Sequence, residues 1–291
     1  MAYQVDSAVI MAAGTASRFA PLSYERPKAL IEVKGEILIE RQIRQLQEAG
    51  IDNISIVVGY MKEHFYYLKE KFGVKIIENP DYLVRNNNGS LAAARDEIRN
   101  TYICSSDNYF SENPFEKEVD DAYYAAVFAK GETKEWCMTE DESGYINSVT
   151  VGGEDAWFML GHTFWTEAFS KAFFEILDRI YNDPETVGVL WESIFMANLD
   201  VLKMKIRKYP DDVIFEFDTL DELREFDESY KADTRSVILK RISDELKLPQ
   251  EKITEVLAYK DKTNAAAGFR FLADGVPYQY EYQNESYRRV P

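Results

Sequence analysis

Two basic residues, Arg18 and Lys28, stand in the string Ala12-Ala13-Gly14-Thr15-Ala16-Ser17-Arg18-Phe19-Ala20-Pro21-Leu22, which continues to Arg26-Pro27-Lys28-Ala29-Leu30. An apolar run over residues 7–12 leads into it, so the pattern reads as a buried strand entering a tight loop. Glycine in such a loop lets backbone N–H groups come close to an anion. An Arg and a Lys held by prolines on one loop can then grip the outer phosphates and a reacting α-phosphate separately. A dinucleotide-binding loop fits less well, because a third glycine and the acidic residue at the end of the next strand are both missing.

Carboxylates supply the second element of chemistry. Asp107, in Ser105-Ser106-Asp107-Asn108-Tyr109, follows the fourth parallel strand, and ligands of open α/β sheets bind at strand carboxyl ends. Glu216-Phe217-Asp218 offers another, since alternation along a strand puts both acids on one face. Asp218 also reads as the N-cap of a helix opening at Thr219. The chain has only two histidines, His64 and His162, so a metal here is expected to be a hard cation such as Mg²⁺ on one or two carboxylates.

A third group is aromatic. Trp136 follows Glu135, Trp191 precedes Glu192, and Tyr109 lies beside Asp107. Ring faces near carboxylates are what a quaternary ammonium requires, because it has no hydrogen to donate. Core packing is the competing reading for each tryptophan. The polar run Asn86-Asn87-Asn88-Gly89-Ser90 offers carboxamides that can read a base edge, and reads equally as a loop and helix cap.

The elements that must position these residues follow from periodicity. Short apolar strands over 7–12, 54–58, 74–77 and 102–104 alternate with helical patterns over 38–49, 61–72 and 91–98, which implies a parallel sheet covered on both faces. After Asp107, four short strands are expected at 123–129, 136–139, 145–151 and 157–164, separated by Gly and acidic turns. Helices at 167–180 and 189–199, a strand at 213–217 and a helix at 220–226 complete a domain ending near Tyr230. The fold class is α/β, a mixed and mainly parallel sheet flanked by helices, with a small α+β appendage over residues 231–291.

Composition narrows the function classes. Of the 291 residues, 46% are hydrophobic and 29% charged, as in ordinary globular proteins. The net charge of −17 argues against an extended nucleic-acid surface, so no nucleic-acid partner is expected. No apolar run is long enough to span a membrane, and residues 1–6 lack the pattern of a signal peptide, so the expectation is a cytoplasmic protein without membrane insertion. Cys104 and Cys137 are too few for a disulfide framework or a zinc site.

The loop string resembles the N-terminal motif of nucleoside-triphosphate transferases, the superfamily of sugar-phosphate nucleotidylyltransferases and their choline-phosphate relatives. Ala16 stands where many members have Gly. Lys134-Glu135-Trp136, residues 161–165, Leu190-Trp191-Glu192 and Ile214-Phe215-Glu216-Phe217-Asp218 are similar to segments of bacterial CTP:phosphocholine cytidylyltransferases, a likeness covering roughly residues 7–229. The resemblance implies a nucleotide-diphospho-sugar transferase-like fold and an Mg²⁺-dependent reaction of CTP with phosphocholine, giving CDP-choline and pyrophosphate by direct displacement. It implies catalytic Arg18 and Lys28, and metal ligands Asp107 and Asp218. The nucleotide would meet Ala12, Ala13, Gly14, Thr15, Ala16, Ser17, Asn87, Asn88 and Ser90. The choline group would meet Trp136, Trp191, Glu192, Glu216 and Tyr109, with Trp165 in reserve. Val189-Leu190 is aliphatic where the family commonly has a polar-aromatic pair, which opens the cage to another amine. A sugar-1-phosphate acceptor, and a catalytically silent nucleotide sensor with a docking tail, are the alternatives.

Beyond Ser236 the chain reads as two short helices, then Lys262-Thr263-Asn264, a strand at 269–272, the turn Asp274-Gly275 and a strand at 278–282. This resembles the opening of a choline-kinase-like small lobe. No Lys stands in residues 278–282 and the chain stops at Pro291 before a catalytic loop, so kinase activity is not expected. The segment reads as part of a fused enzyme, as a docking remnant through which a homodimer could form, or equally as a plain stabilising appendage.

Overall fold

The structure, a computed structural model, describes residues 2–261 and 266–291. The Thr263-Asn264 pair lies outside the described residues. Contacts divide the chain into two compact units: residues up to Gly14 together with Leu38–Glu216, and Thr15–Ile37 together with Phe217–Pro291.

The first unit is built on a seven-stranded sheet. Its spatial order is Lys205–Tyr209, Tyr123–Glu140, Ile146–Trp165, Thr101–Ser105, Ser7–Ala12, Ile54–Val58 and Lys75–Glu78. The last four are mutually parallel, with Ala8 opposite Ile54 and Ser7 opposite Thr101. Ile146–Trp165 runs antiparallel to Thr101–Ser105 and to Tyr123–Glu140, so the sheet is mixed as expected. Val9, Ile10, Ile56 and Val57 are fully buried, each contributing about 1.5–3 kcal/mol relative to exposure.

The four short strands expected beyond Asp107 are instead two long ones, Tyr123–Glu140 and Ile146–Trp165, paired as one hairpin. Gly131, Gly152 and Asp155, with φ of 78°, 82° and 48°, lie at register shifts and not at chain reversals. A bulge absorbs the extra residues, and the ladder resumes with Trp136 opposite Val151. Turn-forming residues inside a strand therefore imitated strand ends.

Helix Leu38–Glu48 stops as expected before Gly50, whose φ of 77° suits a left-handed cap. The pattern at 61–72 splits into a 3-10 turn, Lys62–Phe65, and helix Tyr67–Phe72. The helix expected at 91–98 begins earlier, as Asn87–Ala93, because the Asn86 side chain accepts a hydrogen bond from Asn87 N at 2.9 Å and caps it. The 86–90 run is thus a cap and first turn, not a loop before a helix. Glu167–Ile180 matches its expected bounds, and the helix expected at 189–199 is shortened to Trp191–Met196.

In the second unit, helix Leu220–Phe226 opens with a capping box between Thr219 and Glu222. Helix Val237–Leu246 follows, capped by Ser236. A four-stranded antiparallel meander then runs Ile253–Lys260, Ala266–Ala273, Val276–Glu281 and Ser286–Arg289. The second helix expected in the appendage is absent, and Ile253–Lys260 stands there as a strand. A register shift around Glu255, at φ 49°, interrupts the alternation that would have revealed it. Asp274-Gly275 forms the expected turn, with φ of 48° and 78° as a two-residue type I′ hairpin requires.

Candidate active site

In the second unit the phosphate loop is a 3-10 turn, Ser17–Phe19, a short helix, Leu22–Glu25, and a second 3-10 turn, Lys28–Leu30. Ala16 precedes it in the left-handed region, at φ 44° and ψ 44°, where glycine is unstrained and alanine is not. Arg18 Nη1 lies 2.6 Å from Asp218 Oδ2, and Lys28 Nζ lies 3.9 Å from Asp218 Oδ1. Arg18 is 75% exposed along its side chain while Lys28 is buried, with its ammonium 5.5 Å above the Phe19 ring. The structure therefore brings three of the expected residues together. Asp218 is not the helix cap, since Thr219 fills that role and Asp218 N donates to Glu222 at 2.7 Å. Strand Ile214–Glu216 ends before it, so strand alternation does not govern its direction.

In the first unit the loop begins with Ala12 and Ala13, both buried, and exposed Gly14, whose Cβ position has no neighbour within 4 Å. Asp107 lies in the Ser106–Asp107 turn after strand Thr101–Ser105, and Ser106 N donates to Met11 O at 3.3 Å. The next strand, Asn108–Phe110, pairs antiparallel with Ile214–Glu216, and Asn108 donates to Glu216 at 3.3 Å. Tyr109 is buried under the Arg41 guanidinium, 4.7 Å from its ring centre.

A second cluster forms around Glu192. Asn87 Nδ2 donates to Glu192 Oε2 at 2.9 Å, and Trp191 N donates to Asn87 Oδ1 at 2.8 Å. The Trp191 ring is 1% exposed, stacked 5.8 Å from Tyr124 and set edge-on to Trp165. Burial pushes the Glu192 carboxyl up to about 7, against the Asn87 amide and Tyr124 hydroxyl that favour its ionised form. Tyr124 is pushed well above its usual value by burial and by the charges of Glu192 and Glu216. Tyr124 thus feels both acids, and the sequence reading missed it. The Tyr123-Tyr124 pair carried the signal: alternation sends them to opposite faces, and Tyr123 bonds His162 at 2.8 Å.

Asn88 is buried, and its Nδ2 donates to Thr186 O at 3.2 Å and to Val189 O. Its Oδ1 meets no hydrogen-bond partner among the described residues. Ser90 accepts from Asn79 at 3.2 Å. Trp136 stands half-buried on the long hairpin and belongs to none of the ring pairs or hydrogen bonds just given.

Among the described residues no three His, Cys, Asp or Glu side chains converge as a metal cage. Asp107 in the first unit and Asp218 in the second each offer carboxylate oxygens, the kind of donor that suits a hard divalent cation. Asp218 has basic neighbours in Arg18 and Lys28. No helix among the described residues is long and apolar enough to cross a membrane.

The family described as the MobA-like NTP transferase domain matches residues 8–136. The choline-phosphate cytidylyltransferase of Streptococcus pneumoniae is 32% identical over 224 residues, covering 77% of this chain and 98% of that protein. The 2-aminoethylphosphonate cytidylyltransferase of Lancefieldella rimae is 34% identical over 228 residues, 77% of this chain and 93% of that one. The solved structure of the CTP:phosphocholine cytidylyltransferase from Streptococcus pneumoniae superimposes with a TM-score of 0.74 over 78% of this chain and 99% of that chain.

Proposed function

We propose, for a chain that belongs to the cytidylyltransferases of the nucleoside-triphosphate transferase family, that its reaction joins CTP to phosphocholine, releasing pyrophosphate. The chain is a nucleotidyltransferase, and proteins of this kind work with a divalent cation, here Mg²⁺ on our reading. The observation that carries the reading is that the chain spans 98% of the pneumococcal enzyme at 32% identity. The phosphate oxygen of phosphocholine attacks the α-phosphorus of CTP as the bond to the β-phosphate breaks, and pyrophosphate leaves in line. Arg18 and Lys28 bind the triphosphate and neutralise the charge that grows on it. When bound, the cation held by Asp107 and Asp218 supplies further charge neutralisation.

The backbone of residues 12–17 is read as lying along the triphosphate, with Asn87, Asn88 and Ser90 toward the base and ribose. Asn88 Oδ1, a buried acceptor without a partner, suits the 4-amino group of cytosine, which uracil lacks. The Glu192 and Glu216 carboxylates, whose charges both act on Tyr124, together with Trp136, Trp191 and Tyr109, are read as the site of the trimethylammonium group. Residues 1–230 are read as the transferase domain and residues 231–291 as an appendage to it, which the match to nearly whole relatives of about that size supports. The 34% identity to a 2-aminoethylphosphonate enzyme favours a second acceptor reading, in which a primary ammonium replaces the quaternary one.

Pyrophosphate release with Mg²⁺ tests both, using CTP and UTP against phosphocholine, 2-aminoethylphosphonate, phosphoethanolamine and glucose 1-phosphate. Turnover confined to CTP with phosphocholine is expected. Preference for 2-aminoethylphosphonate would replace the acceptor, glucose 1-phosphate turnover would remove the ammonium site, and nucleotide binding with no turnover would favour a sensor.

A further inference from the structure

We infer that Glu25 is a positioning residue for the triphosphate grip, and that the appendage formed by residues 231–291 acts through it as a brace on the phosphate loop. The inference rests on the nucleotidyltransferase reading and adds a role for a segment which that reading leaves without one. Every contact involved lies within the unit of Thr15–Ile37 and Phe217–Pro291.

Glu25 ends the short helix Leu22–Glu25, three residues before Lys28. Its carboxylate accepts three hydrogen bonds from the start of helix Val237–Leu246: from Ser236 Oγ at 2.8 Å, Val237 N at 3.0 Å and Ile238 N at 2.9 Å. The first amides of a helix have no partner inside it, and the helix dipole adds positive charge there. A carboxylate bridging two such amides is held in direction as well as place, because charge-assisted bonds are the stronger kind. Beside it, the rings of Tyr24 and Tyr282 stack at 3.7 Å with 7° between their planes.

The far end of the loop is tied as well. Glu32 O accepts from Tyr230 Oη at 2.6 Å and from Arg235 Nη1 at 2.9 Å, and Lys34 N donates to Asp227 at 2.7 Å. Lys28 thus lies between two anchors. Behind Asp218, buried Arg224 donates to Ile253 O at 2.5 Å and to Gln250 O at 2.9 Å, and Asp221 accepts from Glu255 N at 2.7 Å. The appendage therefore bears both on the segment that carries Lys28 and on the helix that follows Asp218. Displacement of about 1 Å at a reacting centre is enough to cost a large factor in rate, so contacts that fix the segment carrying Lys28 bear on its grip.

The test uses the full chain with Glu25→Gln, Glu25→Ala, Tyr282→Ala and Tyr282→Phe. Glu25→Ala and Tyr282→Ala are expected to raise KM for CTP about tenfold, leaving KM for phosphocholine unchanged, with Glu25→Gln intermediate and Tyr282→Phe like the parent because it keeps the ring. Hydrogen–deuterium exchange of Glu25→Ala should quicken in peptides covering residues 15–31 as well as in the first turn of helix Val237–Leu246. Exchange that quickens only in that helix, or a fall in Tm with KM for CTP unchanged, would reduce Glu25 to a stabilising cap and overturn the inference. Parent protein with no CTP turnover would instead count against the proposed function, and the exchange experiment would still decide the brace.

Discussion

Around Asp218 the charges stand within reach of solvent, with Arg18 three-quarters exposed and one buried lysine set behind. Around Glu192 the neighbours are Tyr124 and Trp191, both buried in the core that also holds Trp165, Phe169 and Phe173. The first region can lose Arg18 at little structural expense, since partly exposed ion pairs contribute about 0–1 kcal/mol to stability. The second has no side chain so easily lost, because its residues are at once candidate ligands for a cation and part of the packing. Charge and packing are therefore separable at Arg18 and joined around Glu192.

The strongest way to break this contrast is to remove a charge from the proposed catalytic set. Asp107→Ala and Lys28→Ala should each lower kcat by about 10³-fold, as loss of a transition-state electrostatic contact does, and Tm should move little for the partly exposed Asp107. A fold lost together with activity would place these residues in the structural frame instead.

Two tryptophans sharpen the other half. Trp191→Ala should destabilise by about 3–5 kcal/mol, seen in chemical denaturation, because it empties a buried site between Tyr124 and Trp165. Half-buried Trp136→Ala should spare stability and raise KM for phosphocholine about tenfold with CTP unaffected. Equal losses of affinity for both substrates would remove Trp136 from the ammonium site.

A smaller effect should follow pH. The Glu192 carboxyl, raised to about 7 by burial, is neutral below that pH and attracts a cation only above it. KM for phosphocholine should fall severalfold from pH 6 to pH 8 in the parent and less in Glu192→Gln, which also controls for titration of the substrate phosphate. The folded state holds this proton more tightly than the unfolded chain, so its contribution to stability declines as pH rises from the ordinary carboxyl range to about 7. Glu192→Gln should flatten that decline in Tm against pH.

The smallest change is expected at Ala16. Its left-handed backbone means that Ala16→Gly should relieve about 1 kcal/mol of strain, and calorimetry should find an unchanged or higher Tm despite the added unfolded-state freedom. A lower Tm would show that the loop bears no strain there.

Much of the frame was legible locally. Strand Ser7–Ala12, helix Glu167–Ile180 and helix Leu220–Phe226 appear with the bounds that period and caps imply. The loop string around Gly14 and Arg18 was legible as a candidate phosphate site because backbone freedom and basic charge are written in adjacent residues. The long hairpin was obscured because a bulge uses the same residue types as a turn, and strand Ile253–Lys260 because a bulge shifts its period. For Tyr124 the alternation of the Tyr123-Tyr124 pair gave the face but not the partner, and Glu25 had no local signal at all.

Composition and short-range pattern determined that this chain would form an α/β sheet, with a glycine-containing basic loop after the strand Ser7–Ala12. Which side chains meet was decided only by folding: Asn87 reaches Glu192 across 105 positions, and Glu25 reaches Val237 across 212. Periodicity reports which face of an element is apolar. It carries no record of which distant element will supply the partner, because that choice belongs to the packing of the whole core.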